Sequence, residues 1–320
     1  NKKEIPPTYN NKTFFNPYHF SKKGDTHMVN QKYLDKAEVL IEALPYIQRF
    51  NRKIVVIKYG GSAMLDEELK RNVIKDAVLL KLVGFKPIIV HGGGKAITAR
   101  LKELNIETKF INGLRVTCEK TIAVVDDVLH NTTNRQLVDG IREAGGKGCQ
   151  ISGKKMLRAE RLTSRDKETG AELDIGFVGK VVAVDVNPIL DALKYGFIPV
   201  IAPLATDFYG QVYNINADMA ACDIARSLKA RKLVFLSDVP GILRDPHDEK
   251  SLISSIKTSE VEGLIAEGVL SGGMLPKIRS SVAALEAGTS EVQMIDGRVP
   301  HSLLLEIFTD KGIGTEIVKG

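Results

Sequence analysis

The sequence predicts an α/β fold of three layers, a mainly parallel central sheet with helices on both faces. Short aliphatic runs such as Ile54-Val55-Val56-Ile57 and Ile88-Ile89-Val90 alternate with longer stretches whose apolar residues recur every three or four positions. A strand apolar on consecutive residues is buried on both faces, and parallel neighbours need a helical crossover between them. Glycines cluster just after the first two runs, at Gly60-Gly61 and Gly92-Gly93-Gly94, where such sheets bind their ligands.

The elements follow in order. A helix is expected from Asn30, which can cap it, to Phe50, with Leu34, Ala37, Ile41 and Leu44 as an apolar stripe and Pro45 bending or ending it. Strands are expected at 54–58, 87–90, 178–184, 197–203, 233–237 and 292–295. Helices are expected at 67–83, 95–104, 119–144, 188–195, 217–230, 259–267 and 275–287, with Ser259 and Glu262 as a capping box. A boundary between two lobes is expected near 229–232. Residues 51–230 and 231–320 then form the lobes, 30–50 a helix needing a cover, and 1–29 an unassigned extension.

Composition narrows the class. The 320 residues are 43% hydrophobic and 26% charged, as in ordinary globular proteins. No apolar stretch approaches the roughly 18 residues of a membrane helix. The net charge is +6, but residues 1–53 hold ten Lys and Arg against five Asp and Glu, so the body is nearly neutral and lacks the basic character of a nucleic-acid binder. Cys118, Cys149 and Cys222 are too few and too scattered for a disulfide framework or a zinc site, and are expected to be small buried hydrophobes in a reducing compartment. Residues 1–28 hold Tyr9, Phe14, Phe15, Tyr18 and Phe20 but no continuous apolar centre, and the first arginine is Arg49, which argues against secretory and organellar leaders. The chain begins with Asn1, and Met28 is a candidate natural start. A cytoplasmic location is expected.

The glycine loops suit an anion, because glycine lets backbone N–H groups approach and a following helix N-terminus adds positive potential. Common nucleotide motifs nevertheless fail. In each Gly-x-Gly pair, at Gly92, Gly146 and Gly312, the third glycine of the dinucleotide fingerprint is replaced by Ile97, Ile151 or Ile317. The stretch Gly148 to Lys154 resembles a Walker loop, but Lys155 stands where Ser or Thr would hold magnesium, and a helix is expected before it. No nucleophile elbow accompanies His91-Gly92-Gly93-Gly94, and no zinc pattern occurs among the six histidines.

Seven stretches together carry a resemblance: IVVIKYGGSAM, IIVHGGGKAI, INGLRVT, YNINADMAA, FLSDVPGIL, SGGMLPKI and IDGRVPHSLLLEIFTDKGIGT. From about residue 30 to the C-terminus the chain resembles the amino acid kinase family, and within it the branch acting on N-acetyl-L-glutamate. The resemblance implies the amino acid kinase fold and transfer of the ATP γ-phosphoryl group to the substrate side-chain carboxylate, a step of arginine biosynthesis. ATP with Mg2+ is the implied cofactor, with no protein ligand assigned to the metal. Lys58 and Lys277 match the family's phosphate-neutralising lysines, and Asp218 the carboxylate that organises them. Gly60 and Gly61 match phosphate-binding amides, and Gly93 and Gly94 amides on the substrate side. Arg115 matches the clamp for the α-carboxylate, Asn214 the residue holding the backbone-like groups, and Asp238 the nucleotide-side loop. The resemblance also implies an amino-acid- and phosphate-binding lobe at 51–230 and a nucleotide-binding lobe at 231–320 ending in a regulatory segment. Glu306, Gly312 and Gly314 match the arginine site of inhibited members, and 30–50 the helix that interlaces three dimers into a hexamer. Some members bind a nitrogen-signalling PII-type protein, a candidate partner here. The competing readings are a carbamate or glutamate 5-kinase type and a non-catalytic arginine and nucleotide sensor.

Overall fold

A computed structural model describes residues 30–166, 169–309 and 312–320, so the extension 1–29 lies outside the described residues. The expected first helix is two helices, α1 (Gln31–Glu42) and α2 (Leu44–Phe50). Asn30 caps α1, its Oδ1 accepting the Lys32 N–H at 3.0 Å. Pro45 sits in the first turn of α2, where its missing N–H costs nothing. No residue of α1 is buried, and Tyr33, Val39, Leu40 and Ile41 are exposed. Phe50 at the end of α2 is buried and stacks on Phe85 with ring centroids 5.5 Å apart.

The central sheet holds eight strands among the described residues: β1 (Ile54–Tyr59), β2 (Lys86–His91), β3 (Gly148–Ser152), β4 (Ile198–Ala202), β5 (Lys232–Ser237), β6 (Ser255–Lys257), β7 (Glu291–Asp296) and β8 (Thr315–Val318). Their order is β6-β8-β7-β5-β1-β2-β4-β3, and only β7 with β8 runs antiparallel. Alternation along each strand divides the core in two. Val56, Ile88, Leu233 and Phe235 face α8 (Ala217–Leu228) and α10 (Met274–Glu286). Val55, Ile57, Ile89 and Val234 face α3 (Glu67–Leu82) and α6 (Arg135–Glu143). This is the predicted three-layer sandwich.

Several local expectations need correction. The long helix expected at 119–144 is α5 (Glu119–Asp127), a π-helical turn Val128–Asn134, and α6. Residues 178–184 form a strand, but in a small barrel with Leu157–Arg161, Leu204–Thr206 and Val212–Ile215 rather than in the main sheet. The Walker-like stretch begins as β3 itself. The expected Ser259–Glu262 box is displaced, since Glu260 accepts the Lys257 N–H at 2.7 Å. Of the three cysteines only Cys222 is buried, while Cys149 is half-buried and Cys118 exposed. No helix among the described residues is long and apolar enough to cross a membrane.

Candidate active site

The carboxyl ends of β1 and β2 face the amino ends of α8 and α10. Lys58, next to last in β1, is in register with Val90 and Phe235, and its side chain is only 13% exposed. Asp218 lies in the first turn of α8, which is fixed by Asn216: its side chain accepts the Asp218 and Met219 N–H groups at 2.9 and 3.2 Å. Lys277 enters from the start of α10 and lies over the Phe235 ring, 5.2 Å from its centroid.

These elements bring two ammonium groups onto one carboxylate. Lys58 Nζ is 2.9 Å from Asp218 Oδ1, and Lys277 Nζ is 3.1 Å from Oδ2. Burial alone would raise the Asp218 pKa, but the two lysines outweigh it and hold the carboxyl below its usual range. The result is a partly buried cluster with one positive charge in surplus, suited to an anion.

The glycine loops lie beside it. A Cβ on Gly60 would fall 2.7 Å from Lys58 Nζ, so the bare backbone is what leaves the ammonium room. Gly61 has φ +82°, and a Cβ there would strike Asp238 at 2.4 Å, which places the Asp238 carboxylate against the first loop. The Gly92 N–H donates to the Tyr59 carbonyl at 2.7 Å, joining the second loop to the first. Gly93 caps α4 (Gly94–Glu103), so its neighbourhood carries the positive end of a ten-residue helix.

Arg115 lies on the opposite wall, in the strand Leu114–Arg115, and is 6% exposed. Its Nη2 donates to the Gly94 carbonyl at 2.9 Å and to Thr98 Oγ1 at 2.8 Å, and its guanidinium stacks 4.6 Å from the Phe110 centroid. Its Nη1 is buried with no hydrogen-bond partner within the protein. Burial pulls the guanidinium below its ordinary pKa, a cost that an anionic partner would relieve. Asn214 donates to Thr117 Oγ1 at 3.3 Å and borders, with Arg115, Gly93 and Gly94, a cavity of about 180 Å³. Sequence reasoning missed Asn216, Thr98 and Phe110. Asn216 left a signal, an Asn two residues ahead of an acidic first turn, and so did Phe110, through the Asn112-Gly113 hairpin turn that sets it opposite Arg115.

Glu306, Gly312 and Gly314 belong to a different pocket, lined also by Arg49, Lys232, Glu291 and Glu316. Lys232 Nζ lies 3.4 Å from both Glu291 and Glu306, and Glu291 also meets Arg49 at 2.9 Å and Arg231 at 2.5 Å. Glu306 Oε2 accepts the Ile313 N–H at 3.0 Å. Burial and the neighbouring Glu291 raise the Glu316 carboxyl above its usual range.

Comparison with known proteins places this geometry in context. The model described as "Amino acid kinase family" matches residues 53–296. The acetylglutamate kinase of Carboxydothermus hydrogenoformans is 50% identical over 289 residues, covering 89% of this chain and 98% of that enzyme. Among solved structures, N-acetylglutamate synthase from Neisseria gonorrhoeae with coenzyme A and N-acetyl-glutamate superposes with TM-score 0.76 at 26% identity, over 89% of this chain and 63% of the synthase. The same synthase complexed with coenzyme A and L-arginine gives TM-score 0.73, over 89% of this chain and 65% of the synthase.

Proposed function

The chain belongs to the amino acid kinase family, and we propose that it transfers the γ-phosphoryl group of ATP to the side-chain carboxylate of N-acetyl-L-glutamate. The observation that carries this reading is the pair of ammonium groups held on Asp218 beside two glycine loops. A relative named acetylglutamate kinase, identical at half the positions along nine-tenths of this chain, supports the substrate.

The chemistry asks little covalent work of the protein. A side-chain carboxylate with a pKa near ~4.3 is already ionised at neutral pH, so no general base is needed. The difficulty is to bring two anions together and to neutralise the group that passes between them. Lys58 and Lys277 neutralise it, and Asp218 keeps them from repelling each other before substrate arrives. The amides of Gly60, Gly61, Gly93 and Gly94 add donors at no side-chain cost. The unpartnered Nη1 of Arg115 fits the α-carboxylate, and Asn214, with a donor and an acceptor, fits the acetamido group. Asp238 stands on the nucleotide side of the first loop. Both oxygens of Asp218 already face lysines, so the cluster is fitted to neutralise phosphate rather than to bind metal, and phosphate oxygens and water would hold any Mg2+ that accompanies ATP. ADP release with N-acetyl-L-glutamate, set against glutamate, aspartate and carbamate, tests the assignment. Preference for any of the other three would replace it.

Two further parts of the reading rest on separate observations. The pocket around Glu306 is lined by three carboxylates together with Arg49 and Lys232, and L-arginine is the proposed inhibitor there. The exposed apolar residues of α1 fit an oligomerisation helix, in a hexamer built as a trimer of dimers. Residues 51–230 are proposed to hold the amino acid and 231–320 the nucleotide, in the cytoplasm.

A further inference from the structure

His91, the last residue of β2, is completely buried immediately before the second glycine loop. Its Nδ1 lies 2.8 Å from the Gly92 carbonyl oxygen, which can only accept, so Nδ1 carries the proton. Its Nε2 lies 3.1 Å from Asn134 Nδ2. The orientation of that amide is itself fixed, because the same nitrogen donates to the Val200 carbonyl at 2.9 Å. A turned amide would set oxygen against oxygen. Nε2 is therefore the acceptor, and the ring is neutral. Burial pushes its pKa down to about 4, with the neighbouring His130 adding to the effect.

The consequence falls on one peptide group. The Gly92 carbonyl and the Gly93 N–H belong to the same planar trans unit and point in opposite directions. Anchoring the carbonyl on His91 therefore aims the Gly93 N–H away from His91. The π-helical turn Val128–Asn134 supplies the backing. A Cβ on Gly93 would strike Leu129 at 2.5 Å and approach Thr133 at 3.7 Å, so this turn forms the wall behind the loop. Residues four and five apart share a face where a helix widens to the π form, which sets Leu129, Thr133 and Asn134 on the loop together.

We propose that Asn134 and His91 are positioning residues for phosphoryl transfer: Asn134 holds His91 in its Nδ1–H tautomer, and His91 orients the Gly92–Gly93 peptide so that the Gly93 N–H meets the reacting oxygens. The proposal deepens the kinase reading and rests on it. Two substitutions separate positioning from packing. Asn134→Leu removes the donor, and kcat should fall about tenfold or more while both KM values stay within about threefold. Asn134→Asp replaces the donor with an acceptor. The imidazolium would then donate from both nitrogens at low pH, and the Nδ1 proton would leave as pH rises. The carboxylate also faces the Val200 carbonyl where the amide had donated, so kcat should be lowered at every pH, and the test is the slope: kcat should decline about tenfold further from pH 6 to pH 9, a limb the wild type lacks.

¹⁵N-histidine NMR of the wild-type protein should show His91 protonated at Nδ1 and bare at Nε2 throughout pH 6–9, whether or not the variants fold. An Nε2–H tautomer overturns the proposal, as does an equal, pH-independent loss of kcat in both variants. The tautomer is read without turnover, so failure of the kinase reading shows separately.

Discussion

The two ends of the central sheet each hold a lysine largely withdrawn from solvent, and the partners around the two differ. Lys58 stands near the carboxyl end of β1, where it shares a single carboxylate with Lys277. Lys232 opens β5, in register with Val55, and is 5% exposed. Lys58 is paired with Phe235, three residues further on, so the lysines stand ~10 Å apart along the strands and, by the strand period, on opposite faces. Around Lys232 the pocket is lined by Glu291, Glu306 and Glu316 against Lys232 and Arg49. One end has cations in surplus and fits two anions about to react. The other sets three carboxylates against three cations, Glu291 alone meeting Arg49, Arg231 and Lys232, and is the pocket proposed for arginine. The fold supplies a lysine at both ends, sharing one carboxylate with a second lysine at the first and facing two carboxylates at the other.

The largest effects should come from removing the cationic surplus. Lys58→Ala and Lys277→Ala should each lower kcat by about 10²- to 10³-fold in steady-state assays, with smaller changes in KM. A loss confined to KM would show that these lysines hold substrate without stabilising the transfer. Arg115→Ala should do the reverse, raising the KM for the amino acid about 10- to 100-fold with kcat largely kept, because the Nη1 now lacking a partner within the protein is lost. If kcat fell instead, the clamp and the neutralising roles would have to be exchanged.

The carboxylate end is tested by its ligand. L-arginine should inhibit at up to millimolar concentration, and Glu306→Gln should raise the half-inhibitory concentration about tenfold with uninhibited kcat unchanged. An enzyme indifferent to millimolar arginine would leave this pocket a structural knot of ion pairs. Glu306 is well placed for either outcome, since its carboxylate already holds Lys232 at 3.4 Å and the Ile313 N–H at 3.0 Å.

What the sequence made legible follows from what each strand buries. β1, β2 and β5 are buried on both faces and read as near-continuous apolar runs, whereas β7 is equally buried but broken by Gln293. The barrel strand Leu157–Arg161 is exposed on alternate residues and carries Arg158, Glu160 and Arg161, so it leaves no such run. The π-helical turn was equally hidden, because Glu119 to Ala144 keeps a helical repeat while the backbone widens in its middle. In the candidate site, Lys58 announced itself at a strand tip before two glycines. Asn134 did not, because its partner is 43 residues away and only the crossing of β2 with the π-helical turn makes them neighbours. Thr98 was missed for the same reason, 17 residues from Arg115, whereas Phe110 lies directly across from Arg115 in a hairpin whose turn, Asn112-Gly113, the sequence carries.

The smallest expected effect concerns Asp218 alone, and pH gives it a sign. The folded protein holds this carboxyl below its unfolded value, because Lys58 and Lys277 outweigh the cost of burial. A depressed pKa contributes stability that is fully present above the unfolded value of about 4 and is lost as pH falls through the folded value. Asp218→Asn keeps the shape and removes the charge, leaving two ammonium groups facing each other across an amide. At pH 7 it should cost on the order of 1–3 kcal/mol, less than breaking a fully buried pair, since the three side chains are 13–20% exposed. For a chain of this size that is a drop of several degrees in Tm. Thermal melts at pH 7, 5 and 3 should show the gap between wild type and variant closing toward acid, as the wild-type carboxyl takes up its proton and loses its advantage over the amide. A gap that widens with acid would mean that burial dominates at Asp218, and that the lysines are held apart by something other than its charge.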